Sequence, residues 1–116
     1  MKDPLTLRNK EDFDRLHKKG TSVGSRYVVM ISLKNDLPYS RKAFLASKKV
    51  GNSVQRHRAV RLMRESFRQI QKESGLPDGY DFLFIARSTI TDSKCADVKK
   101  SIEAAVKRAG VLNKKP

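Results

Sequence analysis

Ala59, Leu62, Met63, Ser66, Phe67 and Ile70 recur at i, i+3, i+4, i+7, i+8 and i+11 through the middle of this 116-residue chain. That spacing lines one face of a helix and requires a matching apolar surface beside it. At about 100° per residue, His57, Arg61, Arg64 and Arg68 gather on the opposite face, with Arg58 on a flank. Arg56 projects near the apolar edge. The helix thus has an apolar back and a cationic front. Gly51 with Asn52 or Ser53 supplies a turn and an N-cap, and Gly75 followed by Pro77 supplies the stop. The spacing predicts one helix over residues 53–73.

Its flanks say what the helix connects. Residues 41–47 read as a strand, and residues 80–86 form a continuous apolar run, the mark of an interior strand. Strand, helix and strand make a βαβ unit whose two strands run parallel. Residues 27–34, rich in β-branched side chains, form an earlier strand buried on both faces and broken by Asn35-Asp36-Leu37-Pro38. Across the 35–40 loop it is expected to pair antiparallel with the 41–47 strand.

A first helix spans residues 8–20: Asn9 caps it, Asp12 resembles the partner of a capping box, and Lys18, Lys19 and Gly20 close it. Phe13, Leu16 and His17 share one of its faces. A last helix over 93–109 buries Val98, Ile102, Ala105, Val106 and Ala109 and stops at Gly110. The order α-β-β-α-β-α describes an α+β sandwich, helices on a small sheet, in a single domain over 1–116. Residues 111–116 read as a frayed basic tail.

The arginines oppose the stability of the helix that carries them. A helix N-terminus holds partial positive charge and disfavours cations by a few tenths of a kcal/mol each. Their planar forks of donors, however, suit phosphate. Across the chain 26 Lys+Arg stand against 12 Asp+Glu, a formal net charge of +14. Such an excess repels itself in a compact state and points to an anionic polymer, nucleic acid above all. No apolar run approaches the roughly 20 residues of a spanning helix, and residues 1–7 do not form a signal peptide. A soluble, cytoplasmic protein without a membrane partner is expected. Cys95 is the only cysteine, which precludes an internal disulfide and suits a reducing compartment.

Catalytic motifs are missing. His17, His57 and Cys95 make no zinc set, and Glu11, Asp12 and Asp14 are explained as helix-start acids rather than metal ligands. Gly20-Thr21-Ser22-Val23-Gly24 lacks the lysine and spacing of a phosphate loop. Binding is therefore the better reading than protein catalysis. A helix-turn-helix is disfavoured because a strand follows Pro77. Composition fits a ribosomal-type structural RNA-binding protein equally well, and a protein-only nuclease stays open to assay of the RNA-free chain.

A more specific signal is the run Lys48-Lys49-Val50-Gly51-Asn52-Ser53-Val54-Gln55-Arg56-His57-Arg58, with Arg61 and Arg64 after it. It resembles the signature of the bacterial ribonuclease P protein family: a lysine pair, a Val/Ile-Gly-Asn turn, then Arg-Asn-Arg and further arginines. Phe13, residues 19–26 and residues 79–87 look similar too, so the likeness spans nearly the whole chain. The resemblance implies an S5 domain 2-like ribosomal fold with a left-handed βαβ crossover, contrary to the usual hand. It implies a subunit of a ribonucleoprotein that removes the 5′ leader of precursor tRNA. There the RNA subunit is the catalyst and uses Mg²⁺, the protein alone being inactive.

Its partners would be that RNA and precursor tRNA, with no obligate protein partner. Lys48, Lys49, Asn52, Arg56, His57, Arg58, Arg61, Arg64 and Arg68 would meet RNA. Phe13, His17 and Ile31 would meet the leader, in a cleft between the first helix and the sheet. Three positions depart from the family: His57 replaces the Asn of Arg-Asn-Arg, and His17 and Ile31 stand where relatives carry aromatics. Stacking gives about 1–3 kcal/mol per base, so a weaker leader grip than in aromatic-rich relatives is expected.

Overall fold

The computed structural model describes Leu7, residues 9–74 and residues 76–109. Its elements are α1 (Lys10–Lys19), β1 (Thr21–Gly24), β2 (Val28–Lys34), β3 (Arg41–Leu45), α2 (Ser53–Ser74) and β4 (Tyr80–Ala86). A short 3₁₀ turn (Ser88–Asp92) and α3 (Cys95–Ala109) follow. The mixed α+β class and the long crossover helix are as the periodicity predicts. The expected stops at Gly75 and Gly110, the tail 111–116 and the helix start at Arg8 lie outside the described residues.

The four strands lie in the order β1-β2-β4-β3. β4, apolar along its length, takes an inner position: Met30 of β2 pairs with Phe84 antiparallel, and Phe44 of β3 pairs with Phe84 parallel. The expected β2–β3 hairpin is therefore corrected, because β4 is inserted between the two strands. A run buried on both faces gains more from an inner position than β3, whose Leu45 is 41% exposed. β1 is an addition. Its four residues bury only Val23 and carry almost no alternation, yet they pair antiparallel with β2 at the sheet edge.

Alternation along β4 sends side chains to two separate cores. Phe82 and Phe84 join Met30, Met63, Phe67, Ile70, Val98, Ile102 and Val106 beneath α2 and α3. Leu83 joins Ile31, Ala43, Leu16 and Leu7 beneath α1 on the other face. α2 buries Ala59, Met63, Ser66, Phe67 and Ile70, the anticipated stripe, while Leu62 is half-buried.

The helix caps differ from one another. Asn52 Oδ1 accepts the Gln55 amide and Gln55 Oε1 accepts the Asn52 amide, each at 2.9 Å, a reciprocal box at the head of α2. Gly51 precedes it at φ +146°, and a Cβ there would fall on the Gln55 side chain. In α1 the expected box does not form. Asn9 makes no side-chain cap bond, and Asp12 is drawn to Arg41 and Arg15.

Candidate nucleic-acid interface

His57, Arg61, Arg64 and Arg68 are exposed along one side of α2, and Lys48 and Lys49 are exposed in the turn before it. Burial of the opposite stripe against β4 and α3 leaves this face outward. Val54, 74% exposed in the first turn, adds an apolar side chain to this surface that charge-based reasoning overlooked.

Four of the anticipated RNA contacts also have partners inside the protein. Arg58 is half-buried, and its Nη1 and Nη2 donate to the carbonyls of Thr91 at 3.3 Å and Ser93 at 2.7 Å. It ties α2 to the 3₁₀ turn. Asn52 caps the helix, as described above. Arg56 reaches Ser53 Oγ at 3.4 Å, while its buried Nε has no partner. Arg68 Nη2 lies 2.6 Å from Glu65 Oε2. Hydrogen bonding within that pair holds the Glu65 carboxyl below its ordinary range and raises the Arg68 guanidinium.

Beside α2 lies a groove of about 650 Å³, lined by Leu7, Phe13, Lys42, Ala43, Phe44, Leu45, Arg64, Phe67, Arg68 and Gln71. Its floor is apolar and its rim cationic. The Arg64 guanidinium carbon stands 5.9 Å from the centroid of the Phe44 ring, which itself stacks on Phe84 at 5.4 Å. α1, β3 and α2 each supply part of the groove, and the Leu7 amide donates to the Lys42 carbonyl at 2.8 Å along the outer edge of β3.

The three anticipated leader contacts separate. Phe13 lines the groove, and His17 is exposed one turn further along α1. Ile31, 7% exposed, is buried beneath α1 in the second core. Phe44, Leu45 and Gln71 were not singled out from sequence. For Leu45 a signal existed, since an apolar residue ending a strand on a half-covered edge tends to remain exposed.

A small α+β sandwich with one arginine-faced crossover helix and an apolar, cation-rimmed groove defines a class of small basic proteins with a surface suited to an anionic polymer. The chain belongs to the ribonuclease P protein family, whose model, Ribonuclease P, matches residues 1–110. It is 43% identical to the ribonuclease P protein component of Pelotomaculum thermopropionicum over 90% of this chain and 92% of that protein. With that of Caldanaerobacter subterraneus it shares 37% identity over 99% and 98% of the two chains. The Staphylococcus aureus RNase P protein superposes with a TM-score of 0.82 at 31% identity, covering 96% of this chain and all of that one. The Thermotoga maritima protein does so at 0.77 and 28%, covering 89% and 96%.

Proposed function

We propose that the chain binds the catalytic RNA of ribonuclease P through the exposed face of α2 and holds the single-stranded 5′ leader of precursor tRNA in the Phe13 groove. It thereby assists endonucleolytic removal of the leader. The observation that supports this most is the shared use of α2, which presents His57 and Arg61 outward and extends Arg64 and Arg68 over the groove rim. One rigid element then couples the RNA partner to the substrate.

Each half of the site suits a different part of an RNA. Exposed arginines and lysines neutralise phosphates and release counterions, which gives affinity without reading sequence. Phe13 and the edge of Phe44 present apolar area to unstacked bases, while Arg64 remains near enough for their phosphates. The chemistry itself belongs to the RNA and its Mg²⁺. Among the described residues no three His, Cys, Asp or Glu are grouped together as a metal site. Among them, too, no helix is long and apolar enough to cross a membrane. The reading carries with it a cytoplasmic location, where tRNA is processed.

Reconstitution tests this reading. The purified chain should restore cleavage of precursor tRNA by a matching catalytic RNA at low Mg²⁺ and cleave nothing efficiently without it. Phe13→Ala should weaken precursor tRNA by about 1–3 kcal/mol, one base stack, and leave leaderless tRNA unchanged. Failure to stimulate the RNA would reject the subunit role, and ribosomal RNA co-purifying instead would favour a structural ribosomal protein.

A further inference from the structure

α1 contributes one fully buried side chain, Leu16, to its contact with the sheet, and Phe13 is half-buried beside it. Such an apolar contact is non-directional and does not by itself fix the roll of the helix about its own axis. A roll of about 20° sweeps a side-chain tip through roughly 2 Å, given a helix radius of about 5–6 Å with side chains. That displacement would spoil a stacking surface. Something directional must set the angle.

Four charges meet where α1 crosses the strands. Asp81 of β4 is 0% exposed. Its Oδ1 accepts from Asn35 Nδ2 and Arg41 Nε, each at 2.9 Å, and its Oδ2 accepts from Arg41 Nη2 at 2.7 Å and Arg15 Nη2 at 3.1 Å. Arg41 of β3 extends to Asp12 of α1 through Nη1 at 3.2 Å, and Arg15 bonds Asp12 at 3.4 Å. Two carboxylates and two guanidiniums thus balance in charge and tie α1 to β3 and β4.

Ionic clusters of this kind are poor sources of net stability, because lost hydration offsets the attraction. Their planar, multidentate bonding supplies orientation instead. Asp12 is the residue before Phe13 on the same helix, so a roll set at Asp12 also sets the direction in which Phe13 leaves the helix. We propose that the Asp12, Arg15, Arg41 and Asp81 cluster is a positioning device for the groove: it sets the roll of α1 and thereby holds the Phe13 ring in the groove wall, packed on the core that contains Ala43. The proposal rests on the leader reading above and names the residues that give the leader site its shape.

The test uses the full chain reconstituted with a matching catalytic RNA, as wild type, Asp12→Asn and Asp81→Asn. Affinity is measured for precursor tRNA, for leaderless tRNA and, for the protein alone, for the catalytic RNA. Protein labelled with 4-fluorophenylalanine reports the Phe13 environment by ¹⁹F NMR, the line being assigned with Phe13→Leu. Asp12→Asn should lower the preference for precursor over leaderless tRNA about fivefold, the size of one weakened base stack. It should also shift the Phe13 line and leave catalytic-RNA affinity within about twofold, since it removes no surface cation.

A folded variant with an unchanged preference and an unmoved line would overturn the proposal. Equal losses toward leaderless tRNA and the catalytic RNA would do so too, by showing a merely structural role. Should Asp81→Asn fail to fold, Asp12→Asn decides, its side chain being 16% exposed. A wild-type protein with no preference for the leader would remove the leader reading itself, and the fluorine line would then decide whether the cluster sets α1.

Discussion

Arg58 and Arg61 lie three residues apart on α2 and answer to different demands. Arg58 donates to two carbonyls of the segment between β4 and α3, whereas Arg61 is exposed on the cationic face. Arg58→Ala should therefore lose about 1–3 kcal/mol of stability by urea denaturation, the value of hydrogen bonds to a charged group. Arg61→Ala should remain within about 0.5 kcal/mol of the parent, while its RNA binding loses about one unit of log–log salt slope. Glu65 restrains the cationic face differently. With its carboxyl pKa lowered by Arg68, the pair is intact above the ordinary glutamate range and is lost only as pH falls through the lowered value. Glu65→Gln should strengthen RNA binding at neutral pH and low salt, measured by filter binding, and unchanged affinity would show Arg68 to be a bystander. The cationic face that carries Arg68 was legible in the sequence, although its pairing with Glu65 was not drawn from it. The acceptors of Arg58 were not, because they lie 33 and 35 residues away in a turn with no compositional mark.

Among the elements, α2 was the most legible, since its stripe, cap candidates and flanking strands all agreed. The reciprocal Asn52 and Gln55 bonds give its first turn an order that the crowded arginines oppose. Asn52→Ala should cost about 1 kcal/mol in thermal or urea unfolding. The same change should speed hydrogen exchange of the amides near Gln55 and Arg56 while those near Ile70 remain protected. β1 was hidden because a four-residue edge strand with one buried side chain has no period to detect. The partner of β3 was misjudged for another reason: short loops favour hairpins, but the two-sided burial of β4 outweighs proximity in sequence. Hydrophobic pattern reveals which strands are interior more readily than which are neighbours.

At the scale of the molecule, a net charge of +14 is tolerated because the two cores exclude it and the cations spread over the surface. If about six phosphates are neutralised, a fourfold rise in salt should weaken the complex with catalytic RNA roughly a thousandfold. Titration of affinity against salt measures this, and a flat dependence would refute the charge-driven interface. The groove could be foreseen only in part. Phe13 was marked by resemblance, yet the groove walls come from three elements distant in sequence, and Ile31, marked in the same way, is buried beneath the helix and does not line the groove. The insertion of β4 between β2 and β3 also bears on synthesis at the ribosome. Until Ala86 has emerged, two strands already made must wait with unpaired edges, and the cationic helix is complete before the sheet that supports it. Such late closure slows folding and exposes sticky edges. A nascent chain so charged would meet that delay in a cell full of RNA, where binding along α2 before the sheet closes competes with self-association.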